Sequence, residues 1–233
     1  MRWLVMLWLT VACQAQTWHA VSVWGRPVPV KAIRNHVALP IPSSHGSTSL
    51  VAIFTTTNTA ELLGDLTGAT ISSTIQLRTF GNPIMWFGNN TGGPQHATIR
   101  LYFTSTSEPY NLDHGNANTT EYWWANYATV NLSNGNYFPA IPGTYTLTVP
   151  LNPALWSASH GESGADRLTE FKESVSHVAQ IGFSFGGGSF FDTGIGIYNP
   201  DDHWPWPSAT LYVLDYSVSR QQQAICCPQI YAY

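Results

Sequence analysis

The amino-acid sequence predicts an all-β protein built as an antiparallel sandwich or barrel, with one short helix. Three observations lead to this prediction. Charged residues make up only 9% of the 233 residues and aromatic residues 13%, a balance that favours strands over a disordered chain. Short segments with alternating or continuous apolar residues recur along the chain, separated by pieces rich in Gly, Asn and Pro. One segment has the period of a helix instead.

Eight segments have the strand pattern. In chain order they are residues 50–57, 69–80, 96–105, 122–132, 144–151, 179–185, 193–198 and 209–218. The clearest is "TYTLTVPL", in which Tyr145, Leu147 and Val149 alternate with threonines, as in a strand with one buried face. The residues that we predict in the core are Leu147, Val149, Phe183, Phe185, Leu211 and Val213.

The stretch "IGFSFGGGSFFDTGIGI" (residues 181–197) could be a phosphate-binding loop or a turn between strands. A phosphate loop needs a Lys and a Ser or Thr after its glycines, at the start of a helix. No Lys and no helical period follow the three glycines here. The flanking residues alternate between apolar and small or polar types, which predicts a strand, a turn and a second strand.

Between residues 163 and 178, apolar residues recur every three or four positions, which is the period of a helix. We predict a short helix near residues 165–178 that buries a stripe formed by Leu168, Phe171 and Val175. A helix of this kind caps one end of a sandwich or covers the edge of a sheet.

Size and composition limit the classes of protein that the sequence can encode. A chain of 233 residues is long enough for one sizeable domain and short for two. The formal net charge is -4 and no run of Lys or Arg occurs, which argues against nucleic-acid binding. The eight histidines show no metal-ligand spacing, so we predict no metal site for catalysis.

The N-terminal segment "MRWLVMLWLTVACQAQ" has the pattern of a secretory signal peptide: a basic residue, a short apolar core and a small residue at a suitable cleavage point. We expect residues 1–15 to be this signal peptide, too short to span a membrane, and the mature chain to start at Gln16. The protein would then be secreted, periplasmic or at the cell surface. A lipid anchor through Cys13 is the alternative.

The remainder of the chain reads as one domain followed by a tail. We expect residues 16–218 to form a single β-sandwich domain and residues 219–233 to form a loose C-terminal tail. The tail carries the adjacent Cys226 and Cys227, which can bridge each other only through a strained ring. A disulfide framework is therefore not expected.

The second half of the chain resembles a known group of domains. "TLTVPLNPALWSASHG", a short helix, "VAQIGFSFGGGSFF" and "ATLYVLDYSV" follow one another, as in jelly-roll domains of the galactose-binding-like type, which include many carbohydrate-binding modules and the laminin IV type. The resemblance covers roughly residues 96–218 and extends to secreted bacterial proteins of unknown function that share "YWW", "TLTVPL" and "FGGGSFF"-like stretches. It implies a jelly-roll sandwich and supplies no catalytic residues. It allows a structural calcium near Asp215 without requiring one.

Sugar recognition by β-sandwich proteins uses flat aromatic rings with polar side chains beside them. Two stretches, "YNPDDHWPWP" and "TEYWWANY", supply both. The predicted ligand-binding residues are Trp204, Trp206, Asp201, Asp202, Tyr198, Tyr122 and Trp124. Because neighbouring side chains of a strand point to opposite faces, at least one of Trp123 and Trp124 should lie in the core. Noncatalytic binding of a polysaccharide or glycan is the preferred function, with no cofactor.

Two other classes stay open. A glycoside hydrolase needs two carboxylates across a cleft, about 5 to 9 Å apart, and a polysaccharide lyase needs a base beside a cation. For the lyase, His96 and Arg100 lie four apart on one predicted strand and so share a face. The candidate acids for the hydrolase are Glu108, Asp113, Glu121 and Glu162. The third class is a structural or surface-interaction protein without a sugar ligand.

Overall fold

The computed structural model describes residues 17–33, 36–43, 50–57, 61–88, 96–107, 121–158, 161–187, 193–198 and 207–220. The predicted signal peptide and nearly all of the predicted C-terminal tail lie outside these ranges. Within them, strands dominate and one α-helix occurs, α1 (Leu168–Ser176). No helix of the described ranges is long and apolar enough to cross a membrane.

Sixteen strands occupy the described ranges. They are β1 (Trp18–Ser22), β2 (Pro27–Val28), β3 (Lys31–Ile33), β4 (His36–Pro40), β5 (Val51–Thr56), β6 (Thr70–Phe80), β7 (Ile84–Phe87), β8 (Thr98–Thr104), β9 (Tyr122–Ala125), β10 (Val130–Asn131), β11 (Phe138–Pro139), β12 (Gly143–Pro150), β13 (Trp156–Ala158), β14 (Gln180–Gly186), β15 (Ile195–Tyr198) and β16 (Ser208–Ser219).

These strands form two antiparallel sheets. The larger sheet has the order β11-β7-β15-β5-β14-β8-β9-β13, with β1 also paired to β5 and β2, and β10 paired to β8. The smaller sheet has the order β12-β6-β16-β4-β3. Strands far apart in the chain are therefore neighbours: β16, at the end of the domain, lies between β6 and β4. The predicted antiparallel β-sandwich with one short helix is confirmed.

The main core contains inward-facing side chains from both sheets. On β12, Leu147 and Val149 are buried while Thr144, Thr146 and Thr148 are exposed, so the predicted alternation is confirmed. The same core contains all the residues predicted for it, namely Leu147, Val149, Phe183, Phe185, Leu211 and Val213. Burial of such side chains is the dominant favourable contribution to folding.

The glycine-rich stretch connects two strands, as the alternation predicts. β14 ends at Gly186 and β15 begins at Ile195, and Gly194 N donates to Phe185 O at 2.9 Å. The two strands are not a hairpin, because both pair with β5 rather than with each other. Every residue of β14 is buried, so both of its faces are covered and not one face alone.

The helix α1 closes the core near the β9–β13 edge of the larger sheet. The ring of Phe171 meets that of Trp123 on β9 edge to face, with centroids 4.9 Å apart, and Val175 is also buried. The prediction for Leu168 was wrong, since this side chain is 42% exposed. Leu168 is the first helical residue, and helical side chains lean towards the N-terminus, which carries it beyond the packed region.

The last described residue fastens the end of β16 to a distant turn. The guanidinium of Arg220 donates to the carbonyl oxygens of Glu61, Leu63 and Asp65, at 2.8, 3.1 and 3.4 Å. The same turn pairs with the segment after α1, through Gly64 and Val178. Strand β16 thus ends at Ser219. The hydrogen bonds of Arg220 lie two residues past the predicted domain boundary at residue 218.

Candidate functional site

The larger sheet carries a second apolar cluster on the face that points away from the main core. We call this the outer face. On β8, Leu101 and Phe103 belong to the main core, so Tyr102 between them points to the outer face. The cluster is contiguous across several strands and consists of Val23, Leu50, Ala52, Ile53, Trp86, Tyr102 and Trp124, with Val21, Trp24, Tyr122 and Tyr198 partly buried against it.

Trp123 and Trp124 lie on opposite faces, as predicted. Trp123 is in the main core against Phe171. Trp124 is on the outer face, where it is only 1% exposed and contacts the rings of Tyr102 and Tyr122. We call Tyr102, Tyr122 and Trp124 the Trp124 group. Its members lie close together, but Trp124 offers almost no surface to a ligand from solvent.

A second set of rings, the Tyr137 group, comprises Trp86, Tyr137 and Tyr198. The rings of Trp86 and Tyr137 are stacked, with centroids 6.1 Å apart and planes 14° apart. The ring of Tyr198 meets Tyr137 edge to face at 5.0 Å. Tyr137 is 50% exposed, so it presents one ring surface to solvent while Trp86 supports the other.

The backbone holds Tyr137 in a conformation that L-residues rarely adopt. Its φ is +63°, in the left-handed region, which costs a non-glycine residue about 1–3 kcal/mol and recurs at functional sites. Two contacts impose this geometry: Tyr137 N donates to Met85 O at 2.9 Å, and Phe87 N donates to Asn136 Oδ1 at 3.1 Å. The chain just before β11 is therefore docked against β7, and the ring is fixed at the sheet edge.

Arg100 lies on β8 at the level of Ser184 on β14. Its Nη1 donates to the carbonyl oxygen of Ala125 at 3.1 Å. Burial lowers the pKa of Arg100 to about 10, because removal from water disfavours the charged form. The guanidinium is nevertheless charged at neutral pH, so the outer face contains a cation among aromatic rings.

The residues proposed for catalysis are only partly brought together. His96 lies two residues before β8 begins, so it does not share that strand with Arg100, and its Nδ1 lies 2.9 Å from Ser133 O. Glu121 precedes β9 and its backbone carbonyl accepts from Ser105 N at 3.2 Å. Glu162 pairs with Arg167 at 3.2 Å. Glu108 and Asp113 lie outside the described residues.

The remaining predicted site residues divide in the same way. Tyr198 ends β15 within the Tyr137 group, whereas Asp201, Asp202, Trp204 and Trp206 lie outside the described residues. Asp215, the candidate calcium ligand, is exposed at an irregularity of β16. Across the described ranges, no three His, Cys, Asp or Glu side chains group in a way that could hold a metal ion.

The sequence does not predict Tyr137 as a site residue, because it lies in "SNGNYFPAIPG", one of the Gly-, Asn- and Pro-rich pieces between strands, which has no periodicity. The available signal was an aromatic pair, "YF", among turn-forming residues. The fold and this site together define an antiparallel β-sandwich that presents an aromatic ring at one sheet edge. The chain matches no protein-family model, no curated protein and no solved structure.

Proposed function

We propose that the protein is a noncatalytic carbohydrate-binding protein whose ligand stacks on Tyr137. The observation that carries this proposal is the Tyr137 ring itself: half-exposed, backed by Trp86, flanked by Tyr198 and held by a strained backbone. A tyrosine presents a rigid apolar ring with a polar tip. Such a ring suits a pyranose, which has an apolar C–H face and hydroxyl groups at its rim.

The sequence-based residues extend the same proposal. Tyr198 is followed directly by "NPDDHWPWP", so the predicted stacking residues Trp204 and Trp206, with Asp201 and Asp202 as acceptors for sugar hydroxyls, continue the chain from the Tyr137 group. Stacking is worth about 1 kcal/mol per ring. A few such contacts correspond to a dissociation constant of roughly millimolar, and hydrogen bonds to the sugar hydroxyls would extend the range towards micromolar.

Export is part of this proposal, because a binder of extracellular polysaccharide must leave the cytoplasm. The pattern of residues 1–15 supports it, with the mature chain starting at Gln16. We also propose a polysaccharide partner and a galactose-binding-like relationship. The "TLTVPL" and "FGGGSFF" stretches support the relationship, and the aromatic rings at the sheet edge support the partner.

The first test substitutes the exposed ring and measures retention on a panel of polysaccharides by affinity electrophoresis. Tyr137→Ala should weaken retention about fivefold, the loss of roughly 1 kcal/mol for one stacked ring, with little change in melting temperature because the ring is half-exposed. Tyr137→Phe, which keeps the ring, should retain most of the affinity.

The matched control is Tyr127→Ala. Tyr127 is 60% exposed and lies in the turn after β9. The substitution therefore removes an exposed tyrosine ring of similar accessibility from a different part of the surface. If Tyr127→Ala and Tyr137→Ala weaken retention equally, stacking on Tyr137 is not the basis of binding. If the wild-type protein binds no glycan, the structural or surface-interaction class takes its place.

A reducing-sugar assay on the same polysaccharides separates binding from hydrolysis, and absorbance of unsaturated products detects a lyase. We expect neither activity. Release of reducing ends that Glu121→Gln abolishes, or of unsaturated products that His96→Ala abolishes, would assign the protein to the enzymatic alternative.

A further inference from the structure

Strand β12 forms one end of the smaller sheet and differs from the strands at the other sheet ends. It has eight residues, pairs with β6 in one continuous register and carries no charged side chain. Among the described residues, no other strand and no isolated bridge pairs with it. We call its unpaired side the free edge. An edge of this kind pairs readily with another chain unless the protein blunts it.

The other three sheet ends carry the usual devices against such pairing. β3 has only three residues and includes the exposed Lys31, and β11 has two residues, the second of which is Pro139. The three-residue β13 is covered, because the backbone of residues 162–164 exchanges hydrogen bonds of 2.9 and 2.8 Å with it. Short length, lysine, proline and a covering segment all prevent edge pairing. Between Gly143 and Pro150, β12 has none of these devices.

Hydrogen bonding shows which backbone groups lie on the free edge. Leu151 N donates to Ala69 O at 2.8 Å, which continues the register of β12 with β6. In an antiparallel ladder, alternate residues bond to the same neighbour, so residues 149, 147, 145 and 143 bond to β6. The residues whose N–H and C=O groups point to the free edge are therefore Thr144, Thr146 and Thr148. Pro150 ends this edge, since it has no N–H and its carbonyl oxygen accepts from Trp156 Nε1 at 2.9 Å.

The exposed side chains of β12 are complementary to themselves. Thr144, Thr146 and Thr148 are all exposed on one face of the strand. In an antiparallel pair of two copies centred on Thr146, that residue opposes its own copy, and Thr144 opposes Thr148. Cross-strand threonine pairs are favourable, whereas like charges directly opposite each other are not. A strand without charges therefore meets no electrostatic obstacle to pairing with itself.

We propose that the chain forms a two-fold symmetric dimer in which β12 pairs antiparallel with β12 of a second copy, centred on Thr146. Each opposed threonine pair exchanges two backbone hydrogen bonds, so the three pairs give roughly six bonds between the copies. The two smaller sheets become one continuous sheet. Because a two-fold interface closes on itself, assembly stops at two copies.

The symmetry has a consequence for carbohydrate binding. Opposed residues of an antiparallel pair point to the same face of a sheet, so the two-fold axis is perpendicular to the joined sheet. The outer faces of the two larger sheets then point in the same direction, and so do the two Tyr137 groups. A polymer of repeated sugars engages two linked sites more tightly than one. This consequence rests on the proposed function, whereas the pairing of β12 does not.

The first test measures the mass of the purified full chain in solution by sedimentation velocity over a range of concentrations. We expect a species of about twice the chain mass that dissociates on dilution. Thr146→Lys should be monomeric at the same concentrations, because two lysines would oppose each other at the axis. Its circular dichroism spectrum should match that of the wild type, since the side chain at this position is exposed.

The matched control is Ser217→Lys. Ser217 is exposed on β16 and pairs with Ser72, whose hydroxyl lies 3.1 Å from that of Thr148. The control thus adds the same charge to the same face of the sheet, but two strands away from the free edge. This variant should remain a dimer.

A cysteine variant gives a positive signal at the same position. In the paired strands, the Cα atoms of the two copies of residue 146 would be about 5.5 Å apart, which a disulfide can bridge. Mild oxidation of Thr146→Cys should therefore produce a linked dimer on non-reducing electrophoresis. Ser217→Cys should form no more linked dimer than the wild-type chain, whose own cysteines set the background.

A wild-type chain that is monomeric at every concentration overturns the inference. A dimer that persists in Thr146→Lys, or the absence of the disulfide in Thr146→Cys, overturns it as well, because another surface or another register then joins the copies. If Thr146→Lys fails to fold, the disulfide decides. No glycan enters these measurements, so the carbohydrate proposal is tested separately by Tyr137→Ala.

Discussion

The side chain of Tyr216 links the two sheets through a hydrogen bond across the core. It lies on β16 of the smaller sheet, and its hydroxyl donates across the core to the carbonyl oxygen of Gly182 on β14, at 3.3 Å. Its ring is packed edge to face against those of Trp18 and Phe183. Burial raises the pKa of Tyr216 well above its ordinary value, because the phenolate would be far from water.

Because of this raised pKa, the free energy of unfolding depends on pH in the alkaline range. A raised pKa in the folded state means that the folded protein binds more protons than the unfolded one above about pH 10. The stabilisation is therefore complete below that pH and is lost as the pH rises through the folded-state pKa. Tyr216→Phe should cost about 1 kcal/mol at roughly pH 8, from the lost hydrogen bond.

The measurement is urea unfolding of both proteins at roughly pH 8, 10 and 11. The gap between wild type and Tyr216→Phe should narrow as pH rises, since only the wild type has to keep this phenol protonated. Tyr145, whose pKa burial also raises, is common to both proteins and cancels. A gap that stays constant to the highest pH would contradict the assignment.

For individual residues, the two-residue period of a strand predicts which face of the sheet each side chain occupies but not how exposed that side chain is. Trp123 and Trp124 were correctly assigned to opposite faces. That Trp124 is buried and Tyr137 exposed depends on how other segments pack, which periodicity does not encode. The positive φ of Tyr137 is equally invisible, because it arises from docking against β7.

Among the elements, β14 is a fully buried strand inside the larger sheet. It lies between β5 and β8 and all its residues are buried. A Cβ on Gly182 would overlap the carbonyl oxygen of Phe54 and lie 2.7 Å from Thr55 Cα. Both atoms belong to the backbone of β5, so the clash can be removed only if β5 and β14 move apart.

Gly182→Ala should therefore destabilise the protein by about 3 kcal/mol, the upper end of the usual cost of overpacking. The control is Gly143→Ala at the start of β12, an edge strand. The nearest atoms to a Cβ there are at the end of the Tyr145 side chain, at 3.0 Å, and a side chain can shift more easily than the backbone of a paired strand, at most at the cost of its hydrogen bond to Ile141 O. Thermal unfolding of both variants measures their loss of stability. Equal losses would show that the close approach of β14 to β5 does not determine the cost of the Gly182 substitution.

Element boundaries could be predicted only where local pattern decides them. Residues 122–132 read as one strand but form β9 and β10 with a turn between them, where Ala128 has a φ of +55°. The helix ends at Ser176 rather than residue 178, because Val178 pairs with Gly64 instead. Short strands such as β2, β3 and β11 have too few residues to show a period.

The whole molecule depends on β16, the last strand among the described residues. β16 lies in the middle of the smaller sheet, pairs with β6 along the full length of that strand and contributes Leu211 and Val213 to the core. A chain that ends at residue 207 should therefore be unfolded, with no cooperative urea transition by circular dichroism. A chain that ends at residue 220 should keep the wild-type transition. Folding of the shorter chain would show that the larger sheet is stable alone.

The class of fold was predictable because alternation, turn residues and one helical period all agree. The order of strands was not, since the pairing of β16 with β4 joins residues near opposite ends of the domain. The same holds for the candidate site: Trp86, Tyr137 and Tyr198 come from three separate segments, and only the tertiary packing brings their rings together.

The central position of β16 also governs when folding can finish during biosynthesis. Until residues 208–219 have left the ribosome, β6 and β4 lack the strand that joins them, and contacts between distant segments form slowly. The nascent chain is then still open when its N-terminus, where the predicted signal lies, has long since left the ribosome. If the protein is exported as we propose, a late-closing sheet of this kind would keep the polypeptide open for passage through a translocation channel.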